Sequence, residues 1–276
     1  MTIPYQIKKQ IAKYAPVSVD DLTLYPILVE NYSEFDYASP AIEFLQQSLP
    51  VRLMSEPLLS AYWQLDYEAR SNNEEPVGLF YRAVLFLALA MRIDLAGEIE
   101  RLIDALSVET DPNDLSKLKA IHLNDNDGNS HRITPVMFQR LRPILAAQNG
   151  IQLLSDSANP ELVEAEMIIA SQSGLDLEVS TEELIISVAT LSSVDEAEVF
   201  SWPIKKLNDR KAAYEKVLNY IVCSIGEAQG ASWKGGNPYP NPWFKRKKNS
   251  SPALMNLNDF AGGAGTKAVQ DAGGLA

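Results

Sequence analysis

The chain has 276 residues, a formal net charge of −12 and a hydrophobic fraction of 46%. That length holds one large domain or two modest ones, with enough apolar residues for an ordinary core. A single cysteine, Cys223, excludes an internal disulfide and a cysteine-based zinc site. The longest apolar run, Ala83 to Met91, is too short to span a bilayer.

The start, Met1-Thr2-Ile3-Pro4, carries no charged-then-apolar leader, so a reducing cell interior is the expected compartment. Charge is unevenly spread. From Gly230 onward six basic residues stand against two acidic ones, a net of +4, which leaves −16 on Met1–Gln229. An acidic body of that kind argues against nucleic acid as the partner and against a membrane surface.

In chain order, Met1 to Leu22 reads as a short helical or irregular lead-in. Leu22 to Val29 is β-rich but contains Pro26, which fits an edge strand or two half-strands. Asn31 to Gln47 has helical spacing, with a break expected at Ser39-Pro40. Leu53 to Tyr67 is a further helix. Val77 to Ala90 is apolar on nearly all sides, with Arg82 its only charge, and predicts a buried helix. Ile99, Leu102, Ile103 and Leu106 then continue as an amphipathic helix, with Gly97 either separating the two or lying at a close contact.

Asp111 to Asp114 is a turn. Leu118–Leu123 and Ser130–Ile133 form a predicted β-hairpin around Asn124 to Asn129, the richest turn signal in the chain. Thr134-Pro135 then caps a helix that carries Phe138, Leu141 and Leu145 and ends at Asn149-Gly150. Phe138 and Leu141 are expected to pack on an apolar stripe further on, Tyr214 to Ile225. Pro143 is expected to kink the helix near Gln139. A helix follows Asn159-Pro160, another follows the Ser180…Glu183 capping pair, and a last one covers Ile204 to Ala228.

These elements predict a mainly helical α+β protein. The expected divisions are an N-terminal helical region (1–113) with a short β segment near 22–29, a hairpin with a C-terminal helical region (114–229), and a disordered Pro/Gly/Ala-rich tail (230–276).

The chemistry is thin. Asn124 to Asn129 resembles a calcium loop in composition only. An EF-hand register would put Leu123 and Thr134 at its two ends, and neither is a carboxylate. His122 and His131, the only histidines, would lie across the hairpin from one another, as a two-ligand metal site or as plain strand residues; the second reading is the stronger. Cys223 sits among apolar residues and reads as a packed thiol. No nucleotide-binding, nucleophile-elbow or zincin motif occurs. The expectation is therefore no catalytic residue, no metal and no cofactor. Trp233, Tyr239, Trp243 and Phe244, beside the basic run Lys245 to Lys248, are the candidate partner-binding residues. A protein partner suits them better than single-stranded nucleic acid.

Several stretches carry a resemblance. They are the Asp-Gly-Asn hairpin turn followed by ITPVMFQRLRPILAAQNGIQLLSD, then LIISVATLSSVDEAEV, Trp202 to Leu207, and YEKVLNYIVCSIGEAQG. Together with Leu24 to Ile27 and Tyr32 to Phe35 they resemble the tail assembly chaperones of long-tailed bacteriophages and prophages of Gram-positive hosts. These are encoded just before the tape-measure protein. The likeness spans most of Leu22 to Gly230, and Pro143 departs from it. It implies a non-enzymatic protein of the host cell cytoplasm that binds the tape-measure protein and hands it to the tail-tube protein; self-association is a separate expectation for this chain. A structural tail or baseplate adaptor is the competing implication.

Overall fold

The computed structural model describes residues 3–94, 101–153 and 180–231. The chain divides into two compact units, Met1–Ala212 and Ala213–Ala276. The division expected after Asn113 instead falls in a strand-to-strand turn, with Asp111 paired to Asp114 inside the first unit. The expected helix after Asn159-Pro160 and the tail beyond Ala231 lie outside the described residues.

The described residues are mainly helical, with two small antiparallel sheets, an α+β fold. The expected lead-in contains a helix, α1 (Tyr5–Ile11), and a strand, β1 (Val17–Val19), which pairs with β2 (Leu22–Leu24). Asp20 makes the turn between them at φ 54°, a conformation that Asp tolerates better than most residues. The β-rich stretch stops being a strand at Leu24. Beyond it, Pro26 has no N–H to offer a ladder. The neighbouring amides are taken instead by three separate elements. Tyr25 N donates to Ala90 O (2.6 Å), Ile27 N to Asn149 Oδ1 (2.8 Å) and Val29 N to Trp202 O (2.8 Å).

Helix α2 (Tyr32–Glu43) runs through Ser39-Pro40, contrary to the expected break. Pro40 leaves the carbonyl of Asp36 without its helical donor, and the Ser39 hydroxyl reaches it at 3.4 Å. The helix ends three residues later. Its last carbonyls and the one just beyond are met by side chains from elsewhere. Tyr62 Oη donates to Ala41 O (2.8 Å), and Arg142 donates Nε to Ile42 O (2.8 Å) and Nη2 to Phe44 O (2.7 Å).

Helices α3 (Leu58–Ser71) and α4 (Leu79–Ala90) both contribute to the core, α4 with the longer buried run. Every residue from Ala83 to Ala90 is buried, as the sequence predicts for this run. Gly78 takes φ 75° at the start of α4, where a side chain would be strained, and its N–H donates to Asp66 Oδ1 at 3.0 Å. The amphipathic helix expected up to Leu106 is described only as one turn, α5 (Leu102–Ala105). Leu106 itself begins strand β3 (Leu106–Asp111).

β3 joins β4 (Asp114–Asn124) and β5 (Ser130–Ile133) in an antiparallel sheet of order β3-β4-β5. The β4–β5 pair is the predicted hairpin, with register Ile121↔Ile133 and Asn124↔Ser130. Helix α6 (Pro135–Asn149) follows directly. Thr134 Oγ1 accepts from Met137 N (3.2 Å), and Gly150 closes the helix at φ 81°. It continues past Pro143 as one helix.

Phe138 and Leu141 are fully buried on α6, a helix that packs on α1, α2, α3 and β4 within the first unit. The stripe expected to receive them, Tyr214–Ile225, belongs to the second unit, where Leu218, Ile221, Val222 and Ile225 are exposed. Helix α7 (Thr181–Ser192) opens with the predicted capping box, in which Glu183 N donates to Ser180 Oγ and Ser180 N to Glu183 Oε2. Helix α8 (Glu196–Phe200) leads to Trp202. Helix α9 covers Ile204–Ala228, the predicted range.

Candidate partner-binding groove

The predicted contact residues Trp233, Tyr239, Trp243 and Phe244 lie outside the described residues. Two other sequence candidates can be placed. Register sets His122 opposite Arg132 and His131 opposite Leu123, so the two histidines are not across from one another. Each meets a carboxylate of its own. His122 Nε2 lies 3.3 Å from Glu109 Oε2, which also accepts from Arg132 Nε at 3.0 Å. His131 Nε2 lies 3.0 Å from Asp125 Oδ2.

The asparagine- and aspartate-rich turn organises itself around Asp125. Its Oδ1 accepts from Asp127 N (3.0 Å) and Asn129 N (2.8 Å), and its Oδ2 from Asn129 Nδ2 (3.0 Å). The His131 bond and these donors hold the Asp125 carboxyl far below the ordinary carboxylate range. A carboxylate with a depressed pKa stabilises the fold above its unfolded pKa and loses that contribution as pH falls through the folded one. Backbone amides of Asp127 and Asn129 should therefore stay protected from hydrogen exchange through pH 4, close to where ordinary carboxylates protonate. Asp125→Ala, which removes the acceptor, should expose both amides at neutral pH. Unchanged exchange in that variant would show that the turn is held by its backbone alone. Among the described residues, no group of three or more metal-ligating side chains converges.

Two clefts of about 310 and 350 Å³ share Arg92, whose guanidinium lies 4.4 Å from the centre of the Tyr25 ring. Glu30, Glu34 and Asp94 line the first, and Asp21, Asp125 and Asp127 the second. Asn126 spans the turn and the end of α4 by donating to Arg92 O (2.9 Å) and accepting from Asp94 N (2.8 Å).

The surface best built for contact is an open apolar groove of about 510 Å³ between α3 and the sheet. Trp63 and Tyr67 are four residues apart on α3 and share one face of it. Val108 and Thr110 on β3 are two apart, the spacing of residues on one strand face, although a register shift falls between them. Leu115 of β4 completes the lining and is 54% exposed.

The aromatic floor is fixed. Trp63 Nε1 donates to Leu115 O at 3.0 Å, and its ring stands edge-on to Phe80 at 5.0 Å and tilted to Tyr67 at 6.5 Å. Among the described lining residues, Arg70 carries the only charge. Half-buried aromatic side chains already locked in place are the type that anchors interfaces, since little rotamer freedom is left to lose on binding. Sequence reasoning missed this groove because its walls come from segments about fifty residues apart. The only local hint was Trp63 and Tyr67 at helical spacing.

Comparison with protein-family models, curated proteins and solved structures finds no match to this chain. Among the described residues, no helix is long and apolar enough to cross a membrane.

Proposed function

We propose that the protein is a non-catalytic phage tail assembly chaperone that seats an amphipathic helix of the tape-measure chain in the Trp63–Leu115 groove. The observation that carries this reading is the groove itself. It is open, apolar and rigidly floored, as a helix-in-groove mode of recognition needs. The sequence resemblance supplies the client and the setting, the host cytoplasm during assembly. The surplus of 16 negative charges on Met1–Gln229 keeps a complex with a sticky client dispersed. Arg70 offers a cation to an acidic residue flanking the client's apolar face. Trp233, Tyr239, Trp243 and Phe244 form a second contact, to the tape measure or to the tail-tube protein.

Co-expression with the tape-measure chain tests the reading. The wild-type protein should hold that chain in the soluble fraction. Leu115→Asp with Tyr67→Asp should lower the soluble yield severalfold, while truncation after Gln229 should lower it less. Circular dichroism of the purified double variant guards against simple unfolding. Tape-measure solubility indifferent to the protein would overturn the proposal. So would finding the protein at fixed copy number in finished virions, the result expected of a tail or baseplate adaptor.

A further inference from the structure

We infer that two copies of this chain associate through α9, as a parallel, in-register pair of helices along Tyr214 to Ala228. Counting heptads along α9 places Lys211, Leu218 and Ile225 at the a positions and Tyr214, Ile221 and Ala228 at the d positions. The large a and d side chains of the last two heptads are exposed: Leu218 by 49%, Ile221 by 40% and Ile225 by 52%. Isolated exposed apolar residues are ordinary on a protein surface. A row of them at alternating three- and four-residue spacing is the seam of a two-helix contact.

The occupant is read from the flanks of that seam. In a parallel pair, each g position meets the e position five residues later on the other helix. Arg210 then faces Glu215 of the second copy, an opposite-charge pair made twice by symmetry. Val217 faces Val222 of the second copy, an apolar pair that widens the seam. Val222 is 65% exposed, and a pair of this kind gives such a residue a partner. The same patch is thus complementary to itself in apolar spacing and charge, as a two-fold interface requires. Charge pairs of this sort fix register more than they add affinity. Cys223 falls at f, on the far side of the helix from the seam, and is buried rather than exposed.

Lys211 at an a position sets two like charges together and limits the seam to about two heptads, fewer than the three or four that sustain a free-standing coiled coil. The association should therefore be reversible, with a dissociation constant on the order of 10 µM. It is independent of the chaperone reading, which concerns a different surface.

Sedimentation velocity on the full chain tests it. The wild type should pass from monomer to dimer between about 1 and 100 µM, bracketing that constant. Leu218→Asp with Ile225→Asp should remain monomeric over the same range, at least tenfold weaker. Its thermal midpoint, measured at about 1 µM or below where the wild type is also monomeric, should not change, because both positions are exposed. Orientation is read from disulfide capture. Leu218→Cys should cross-link to itself under mild oxidation, while the wild type, with only Cys223, should not. A wild type that stays monomeric at the upper concentration would overturn the inference. So would a dimer that survives the double variant, or one in which Leu218→Cys links only to an Ile225→Cys copy. A monomer whose α9 seam is protected from hydrogen exchange would mean that another part of the same chain covers it, and would also overturn it.

Discussion

Phe138→Ala is expected to cost about 3–5 kcal/mol of folding free energy, the usual range for emptying a fully buried aromatic site. Phe138 has no exposed surface, and the helix that carries it is enclosed by α1, α2, α3 and β4. Those elements are far apart in sequence and are anchored elsewhere, so they have little freedom to close over the cavity. Urea denaturation should show a lower midpoint with an unchanged slope. Phe138→Leu, which keeps most of the volume, should fall well short of that loss. A shift below about 1 kcal/mol for the alanine variant would mean that the site collapses readily and that the first turns of α6 are not a keystone.

Arg142→Met should destabilise by a similar amount, about 3–5 kcal/mol, through a different mechanism. The side chain is only 6% exposed and gives two hydrogen bonds to backbone carbonyls at the end of α2, Ile42 O and Phe44 O. Bonds from a charged donor contribute roughly 1.5–3 kcal/mol each, and removing the donor strands buried acceptors. A cation also suits the negative end of the α2 dipole.

Methionine preserves the length and packing of the side chain, so what is lost is the guanidinium. Arg142→Lys should recover only part of the loss, since one ammonium cannot reproduce the fork that spans two carbonyls. The neighbouring Tyr62 hydroxyl, whose pKa burial pushes up and the Arg142 charge pulls down, closes the same helix end at Ala41 O. Tyr62→Phe should therefore be less than additive with Arg142→Met in a double-mutant cycle. Full additivity would show that the two side chains support the α2 end separately.

Arg142, Gln148 and Asn149 lie on one helix, and their roles there are structural. Gln148 Nε2 reaches Leu24 O (3.0 Å) and Ala15 O (3.3 Å), while Asn149 accepts from Ile27 N and donates to Leu145 O. One helix thus holds the N-terminal hairpin and the end of α2. The polar letters of that stretch read as helix surface and helix end until their distant partners are seen.

By itself the sequence determined the features whose hydrogen bonds close within a few residues. Thr134-Pro135 and Ser180…Glu183 start helices, Gly150 ends one at a positive φ, and Asp125 to Asn129 turns a hairpin. Apolar spacing was also enough to mark α4 as core and to give both ends of α9. Tertiary structure decided what local preference leaves balanced. Leu106 satisfied a helical spacing with Leu102 and Ile103 and an alternating one with Val108 and Thr110. The backbone of β4, paired at Leu106↔Leu123, settled it as strand. Pro40 is a helix breaker in isolation, yet a hydroxyl one residue earlier and donors from α3 and α6 kept α2 whole. The groove has the same origin. Trp63, Val108 and Leu115 meet only because helix α3 packs on a sheet whose first strand local spacing left undecided.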